Sequence, residues 1–572
     1  MDPTLLPFDF PRNLSASVPP NWLWIQKKNL QGQGAINDRF KNAQTAWRQA
    51  NYEFGILSHG QISYKRVLGW GGFGVVTLWQ LPDIAPGLSG EEFAVKFPIA
   101  RPGRAVQDQE LRREIEWMGG VFRNSQHFIQ LMNVGGLPRS MEFNNPQVQA
   151  PIIVMEVASK FSLYELISRI NTARKWNRAN PTAYTQQKLE FIPSRILWRM
   201  FLCLTRAVVG MAYPVIPPPA YGPRRETVQP PGSQFRNIVH FDLDPQNVLC
   251  GEFDFTGAEP EHVLGPLVAD YGLMLEWNDQ HMDEARKARH IKRGKPSWYA
   301  PEQRQTEVHI RNNAILGYPM NIWAIGLIMF NLLTLRHPED SGWYPLRRDR
   351  DPTTTMTPIT QVNRIWTWGW QLVPDGDKRE LLDSFLDAFD YDLRWLIARC
   401  MSSDTRMRPS IHSLLELVEF GVRQADERAT RLAAERDAEA EVLGAQMRAG
   451  IWTPVGPQVA TATNLNMIPR AQVARPQDSS MSAQASSGGP ASQTGLPPLS
   501  GIGVTGVPVP GIGLIPGGGV PQGPALAPLV TTNQIPPRIE DDDLIRRFYN
   551  NYFHEPPPDH DPWRDFWHRN FP

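Results

Sequence analysis

Several short runs in this chain have the residue types and spacing needed for phosphate chemistry. Gly69-Trp70-Gly71-Gly72-Phe73-Gly74-Val75-Val76 clusters glycines. Glycine adopts positive φ and lets the backbone come close to phosphate oxygens. The cluster lies between two strand-like segments, 64–68 and 75–81, whereas a dinucleotide-binding turn would open a helix. Ala94-Val95-Lys96 sets a lysine after apolar strand residues, a place from which an ammonium can reach into a cleft and hold phosphate oxygens, the alternative being a lysine that snorkels to the surface. Leu267-Val268-Ala269-Asp270-Tyr271-Gly272 ends an apolar strand on a carboxylate beside a glycine. That suits Mg2+, which takes one or two carboxylates plus phosphate oxygens. A fourth run, His240-Phe241-Asp242-Leu243-Asp244-Pro245-Gln246-Asn247-Val248-Leu249, groups Asp242, Asp244 and Asn247 ahead of another apolar strand.

These runs must be held by regular elements. Residues 62–81 read as strand, glycine turn, strand, and 93–97 as a further short strand. Residues 110–122 read as helix, 152–157 as a buried strand, and 194–211 as a long, mostly apolar helix. Helices follow from 321 to 335 and in shorter pieces to about 422, and 423–448 reads as a charged, alanine-rich helix. In the segment before position 60, residues 38–54 are helix-like. The proline-rich insert 214–234 has no periodicity and is expected to be a surface loop. Residues 451–538, rich in Pro, Gly, Ala, Ser and Thr, are expected to be a disordered linker. The tail, 539–572, is acidic and then aromatic, with Phe548, Tyr549, Tyr552, Phe553, Trp563, Phe566 and Trp567. It reads as an interaction element that docks back on its own chain or reaches another protein.

The chain has 572 residues, with 58 Lys+Arg against 58 Asp+Glu, so no net charge drives it toward nucleic acid or anionic membrane. Cys203, Cys250 and Cys400 are far apart and make neither a metal-ligand spacing nor a disulfide framework, which fits a reducing compartment. No signal peptide, lipidation motif or spanning apolar run is visible. The expectation is a soluble protein of the cytoplasm or nucleus that binds neither nucleic acid nor membrane.

Taken with Trp298-Tyr299-Ala300-Pro301-Glu302, Asn321-Ile322-Trp323-Ala324-Ile325-Gly326 and the later Arg408, these runs occur in an order that resembles the eukaryotic protein kinase family. The resemblance covers about 64–420, and the run 240–249 is also similar to catalytic loops of filamentous-fungal kinases. Pro245 resembles the serine/threonine branch. The resemblance implies an α+β, bilobal fold over 60–422. It has a small β-rich N-lobe (60–157) and a larger helical C-lobe (158–422), flanked by an extension (1–59), a charged helix (423–450) and the disordered C-terminal part. It implies transfer of the γ-phosphate of ATP to serine or threonine hydroxyls of protein substrates, with Mg2+. Asp242 would accept the hydroxyl proton, and Asn247 and Asp270 would hold the metal. Lys96 would hold phosphates, paired to Glu114, with Glu110 and Glu116 as alternatives; Met118 fits the apolar position four after Glu114. Leu68, Gly69, Trp70, Gly71, Gly72, Phe73, Gly74, Val76, Ala94, Met155, Glu156 and Val157 would surround the nucleotide, with Met155 as gatekeeper and 156–158 as hinge. Glu302 would pair with Arg408.

The chain departs from the family at Phe241 (arginine in the family), Asp244 (lysine), Lys295 (threonine) and Asn321 (aspartate). An amide at 321 still accepts hydrogen bonds from backbone N–H groups. The opposite charges at 244 and 295 read as an exchange, Lys295 restoring the cation that Asp244 removes. The segment 272–296 contains no Ser or Thr, and Phe241 cannot read a phosphate, so no phosphorylation switch is expected there. The alternative function is a pseudokinase, a nucleotide-binding scaffold that transfers nothing.

Overall fold

The computed structural model describes residues 62–70, 74–82, 90–98, 106–132, 140–142, 151–158, 161–182, 187–214, 224–230, 233–253, 264–278, 280–304, 315–336, 345–350, 364–373, 386, 388–448 and 542–554. The expectations for 1–61, for Gly71, Gly72 and Phe73, and for the linker lie outside them.

The first part is a five-stranded antiparallel sheet in the order β1-β2-β3-β5-β4, from β1 (Ser63–Trp70), β2 (Gly74–Gln80), β3 (Glu92–Pro98), β4 (Ser140–Glu142) and β5 (Pro151–Met155). Strand side chains alternate between faces, and the register fixes which. Trp79, Phe93, Val95, Phe97, Ile152 and Val154 pack into one apolar cluster. The intervening residues Val76, Ala94, Lys96, Ile153 and Met155 therefore share the opposite face, with Val76 paired to Lys96 and Ala94 to Met155. Burial of Val95 and Phe97 is thus what aims Lys96 the other way. Gly74 is required where β2 meets β3, since a Cβ there would lie 2.6 Å from the Phe97 carbonyl oxygen.

Between β3 and β4 runs α1 (Val106–Glu116), which relaxes into a π-helical turn over Trp117–Val121. Leu111, Glu114 and Met118 are buried, on the i, i+3, i+7 face. Glu110 is half-buried and Glu116 exposed, off that face.

The second part is mostly helical. It contains α2 (Leu163–Ala179), α3 (Ser194–Ala212), the short pairs β6 (Ile238–Val239) with β9 (Leu275–Glu276) and β7 (Val248–Phe253) with β8 (Leu264–Val268), then α4 (Glu284–Ile291) and α5 (Tyr318–Thr334). β10 (Leu346–Asp349), β11 (Arg364–Thr367), α6 (Tyr391–Cys400) and α7 (Ile411–Arg448) complete it. Helices α3 and α5 are buried nearly all round, as central helices are, with the arginines of α3 paired to carboxylates of α7. Gly326 of α5 sits so close to α6 that a Cβ would lie 2.7 Å from that of Cys400. Ser162 starts α2 with a reciprocal capping box to Glu165. Arg408 and Glu302 form a bidentate pair, 2.7 Å at each oxygen, with side chains 0% and 2% exposed. Among the described residues no helix is long and apolar enough to cross a membrane.

Three features differ from the sequence expectation. The boundary drawn at 422 falls inside α7, a single 38-residue helix. Its later turns are tied to the core: Ala425 is buried, and Asp426 accepts from Arg195 Nε and Arg199 Nη2, each at 2.7 Å. The end of the proline-rich insert is not a free surface loop. Glu226 is fully buried, its carboxylate 2.5 Å from His127 Nδ1 and accepting the His127 N–H at 2.9 Å. Thirdly, part of the tail is folded. α8 (Asp542–Tyr549) leads into the turn Asn550–His554, which packs on α2, and together they bury Leu544, Ile545, Phe548, Tyr552 and Phe553.

Candidate active site

Lys96 lies in the cleft between the sheet and the helical part. Its Nζ donates to Glu114 Oε2 at 2.7 Å and Oε1 at 2.9 Å, and to Asp270 Oδ1 at 3.1 Å. The alternation in β3 and the buried face of α1 thus select Glu114 over Glu110 and Glu116. One ammonium serves two carboxylates, and this orders their pKa values. Burial would lower Lys96, but Asp270 and Glu114 together raise it. Burial pushes Glu114 up to about 7, against the pull of Lys96. For Asp270 burial opposes ionisation, yet Lys96 holds it below the usual carboxylate range.

Asp270 has φ 62°, left-handed backbone that a non-glycine residue adopts only when its surroundings impose it. The next residue is part of that surrounding. Tyr271 is 1% exposed, stacks against Phe122, and places its hydroxyl 2.7 Å from the Val268 carbonyl oxygen and 3.1 Å from that of Ile129. A tyrosine fits here because its hydroxyl finds a backbone acceptor within the core.

The loop between β6 and β7 carries the second cluster. Asn247 Nδ2 donates to Asp242 O at 2.7 Å and Oδ2 at 3.0 Å. Asp242 Oδ1 is buried and has no hydrogen-bond partner among the described residues. Burial pushes this carboxyl up to about 6, with Lys295 opposing. His240, which burial lowers to about 4, approaches the Ala269 carbonyl oxygen at 3.2 Å through Nε2. Asn321 accepts the His240 N–H at 3.0 Å through Oδ1 and donates to Ile238 O at 2.8 Å. The amide at 321 therefore braces the start of this loop through two backbone groups, the Ile238 carbonyl and the His240 N–H.

Lys295 reaches in from the segment after α4. Its ammonium bonds Asp244 Oδ2, donates to Gln246 Oε1 at 3.1 Å, and lies 3.5 Å from Asp242 Oδ2. Burial would lower its pKa, but Asp242 and Asp244 raise it. Asp244 is 1% exposed and also accepts the Gln246 N–H at 2.8 Å. The close approach that puts Lys295 here depends on Gly294, φ 91°, where a Cβ would fall 1.9 Å from the Phe241 carbonyl oxygen. Phe241 itself, at φ 66°, faces Trp277 with ring centroids 6.3 Å apart.

The structure thus brings Lys96, Glu114 and Asp270 into one cluster and Asp242, Asp244, Asn247 and Lys295 into another. Val76, Ala94 and Met155 share the face of Lys96; Leu68, Gly69 and Trp70 lie on β1. In the connection after β5, Glu156 turns its carboxylate to accept the Gln130 N–H at 2.8 Å, followed by Val157. Gln246 and the Tyr271 hydroxyl were not singled out in the sequence. The signal for Gln246 was only its place between Pro245 and Asn247.

Residues 235–418 match the protein kinase domain family. The chain is 28% identical over 179 residues to the calcium/calmodulin-dependent protein kinase cmkB of Emericella nidulans, covering 31% of this chain and 34% of that protein. It is 25% identical over 194 residues to the probable serine/threonine-protein kinase gdt4 of Dictyostelium discoideum, covering 34% and 9%. It is 26% identical over 135 residues to myosin light chain kinase family member 4 of Homo sapiens, covering 24% and 26%. The chain spans about a third or less of the length of these relatives. The family match spans Asp242, Asp244, Asn247, Asp270 and Lys295, and the sheet that carries Lys96 lies outside it.

Proposed function

We propose that the protein transfers the γ-phosphate of ATP to serine or threonine hydroxyls of other proteins. The observation that carries this reading is the unpartnered, buried Oδ1 of Asp242 beside an Oδ2 fixed by Asn247. A carboxylate held in this way is an acceptor reserved for a proton from outside. The substrate hydroxyl oxygen bonds to the γ-phosphorus as its proton passes to Asp242, the bond to the β,γ-bridging oxygen breaks, and ADP leaves. Lys96, held by Glu114, grips the phosphates. Lys295, beside Asp242, supplies a cation to the transferred group from the opposite wall. Little covalent chemistry falls to the protein, and its contribution is positioning and charge stabilisation.

The donor set fits Mg2+: Asp270 offers a carboxylate oxygen turned from Lys96, and Asn247 offers Oδ1, since its Nδ2 is used on Asp242. Bound there, Mg2+ would neutralise phosphate charge. The serine/threonine choice rests on Pro245 and on the name of one relative, the probable serine/threonine-protein kinase gdt4. A second reading, a nucleotide-binding scaffold without transfer, is favoured by Asp244, an acidic residue where the family carries a lysine. Phosphorylation of a degenerate peptide library by the full chain separates the two. Transfer to Ser/Thr peptides, lost in Asp242→Asn, supports the enzyme; no transfer by the wild type supports the scaffold.

A further inference from the structure

The folded part of the tail occupies a defined seat. Leu544, Ile545, Phe548 and Tyr552 recur at helical spacing, and all face the helical part of the domain. Phe553 stacks on Phe161, centroids 4.9 Å apart. The Arg169 guanidinium lies 4.1 Å from the Phe161 ring centroid and donates to the Tyr552 carbonyl oxygen at 3.3 Å. The stretch before α3 is held at three backbone groups. Asn551 Oδ1 accepts the Leu189 N–H at 2.8 Å, the Tyr552 hydroxyl donates to Leu189 O, and Arg547 donates to Gln187 O at 2.7 Å. Side-chain packing and backbone pairing on both of its walls mark this as a specific docking surface.

The seat is joined to the cleft by backbone hydrogen bonds. Phe161 O accepts the Cys250 N–H at 2.8 Å, Ser162 bridges Leu249, and the Tyr164 N–H donates to Pro245 O at 2.9 Å. Pro245, Leu249 and Cys250 flank Asn247, and Phe161 follows the connection 156–158 that leaves β5. The residue that receives Phe553 is therefore hydrogen-bonded to the strand that follows Asn247.

We propose that residues 542–554 are an intrachain docking motif, and that occupancy of its seat on α2 and 187–189 sets the affinity of the cleft for nucleotide. It rests on the reading above only in taking the cleft as a nucleotide site. With the tail seated, Phe161 is clamped and the segment over Pro245–Cys250 is fixed in its binding geometry. With the seat empty, nucleotide binding has to order that junction itself, and affinity falls.

The test uses the full chain with Phe553→Ala, Phe548→Asp and Phe161→Ala. MgADP affinity is measured by calorimetry, and hydrogen exchange over 187–189 reports whether the seat is occupied. Emptying the seat should weaken MgADP binding by at least about fivefold, the low end of coupling between sites. A peptide of residues 538–558 should restore affinity to Phe548→Asp and not to Phe161→Ala. Faster exchange at 187–189 with unchanged or tighter MgADP binding would overturn the coupling. Unchanged exchange in Phe548→Asp would overturn the docking. If the wild type binds no MgADP, the nucleotide reading fails instead, while exchange still decides whether the tail docks.

Discussion

Burial raises Asp242 to about 6 even with Lys295 beside it, so the carboxylate proposed to take the substrate proton is half-protonated near that pH. The sign is that of a raised acid: the ionised, competent form is lost as pH falls through about 6. The pH–rate profile should therefore show an acidic limb near 6, and Lys295→Met, which removes the opposing cation, should move that limb to higher pH. A limb that stays in place would separate Lys295 from Asp242. Tyr271→Phe removes one buried hydroxyl whose acceptor, Val268 O, keeps the Ile129 N–H at 3.0 Å. It should cost about 1 kcal/mol of stability in denaturant titration and leave activity close to wild type. At this scale much was legible, because the motifs are short and local. The charge exchange was legible because two departures carried opposite signs. Gln246 was not, because its meaning lies in a lysine about fifty positions away.

Among the elements, the segment carrying α4 is held without phosphate. Gln303 Nε2 donates to Ile291 O at 2.8 Å, the Tyr299 hydroxyl donates to Lys292 O, and Gly294 lies against Phe241. An aromatic pair, Phe241 with Trp277, stands where an arginine would read a phosphate. Phosphatase treatment of the protein should leave its transfer rate unchanged, and a large loss traced to this segment would contradict the arrangement. The insert is anchored by a different device. Burial would lower His127, but Glu226 raises it from 6.5 to about 10. Its stabilisation is complete below about 6.5 and is lost as pH rises through about 10. Glu226→Gln, which breaks a buried pair, should cost about 3–5 kcal/mol at pH 7 and flatten that alkaline loss in pH-dependent melts. The sequence marked the insert as a break in periodicity. A single glutamate among the prolines gave no hint of burial, since its partner lies about a hundred positions earlier.

At the scale of the whole molecule, the folded unit extends past the end drawn at 422. The apolar pattern of α7 thins after 422 because its later turns are held by ion pairs, Asp426 with Arg195 and Arg199, and Arg428 with Asp390. A chain ending at 422 should melt several degrees below one ending at 448, since buried Arg199 loses its carboxylate. Equal melting temperatures would show that these turns are dispensable. The two-lobed architecture was legible from the order of motifs. For the tail, the aromatic cluster and its docking back on the chain were among the expectations, but the seat was not legible, because it is assembled from 161–170 and 187–189, distant in sequence.

Transfer through Asp242, with the phosphoryl cation supplied from position 295, is put to a double-mutant cycle in kcat. An uncompensated Asp244 would repel the transferred group by about 4 kcal/mol at 4 Å and an effective dielectric near 20. The cycle uses Asp244→Lys, Lys295→Thr and the pair together. Each single change should lower kcat, and the double change should recover much of the loss. Additive effects, or an unchanged kcat in Lys295→Thr, would contradict the account.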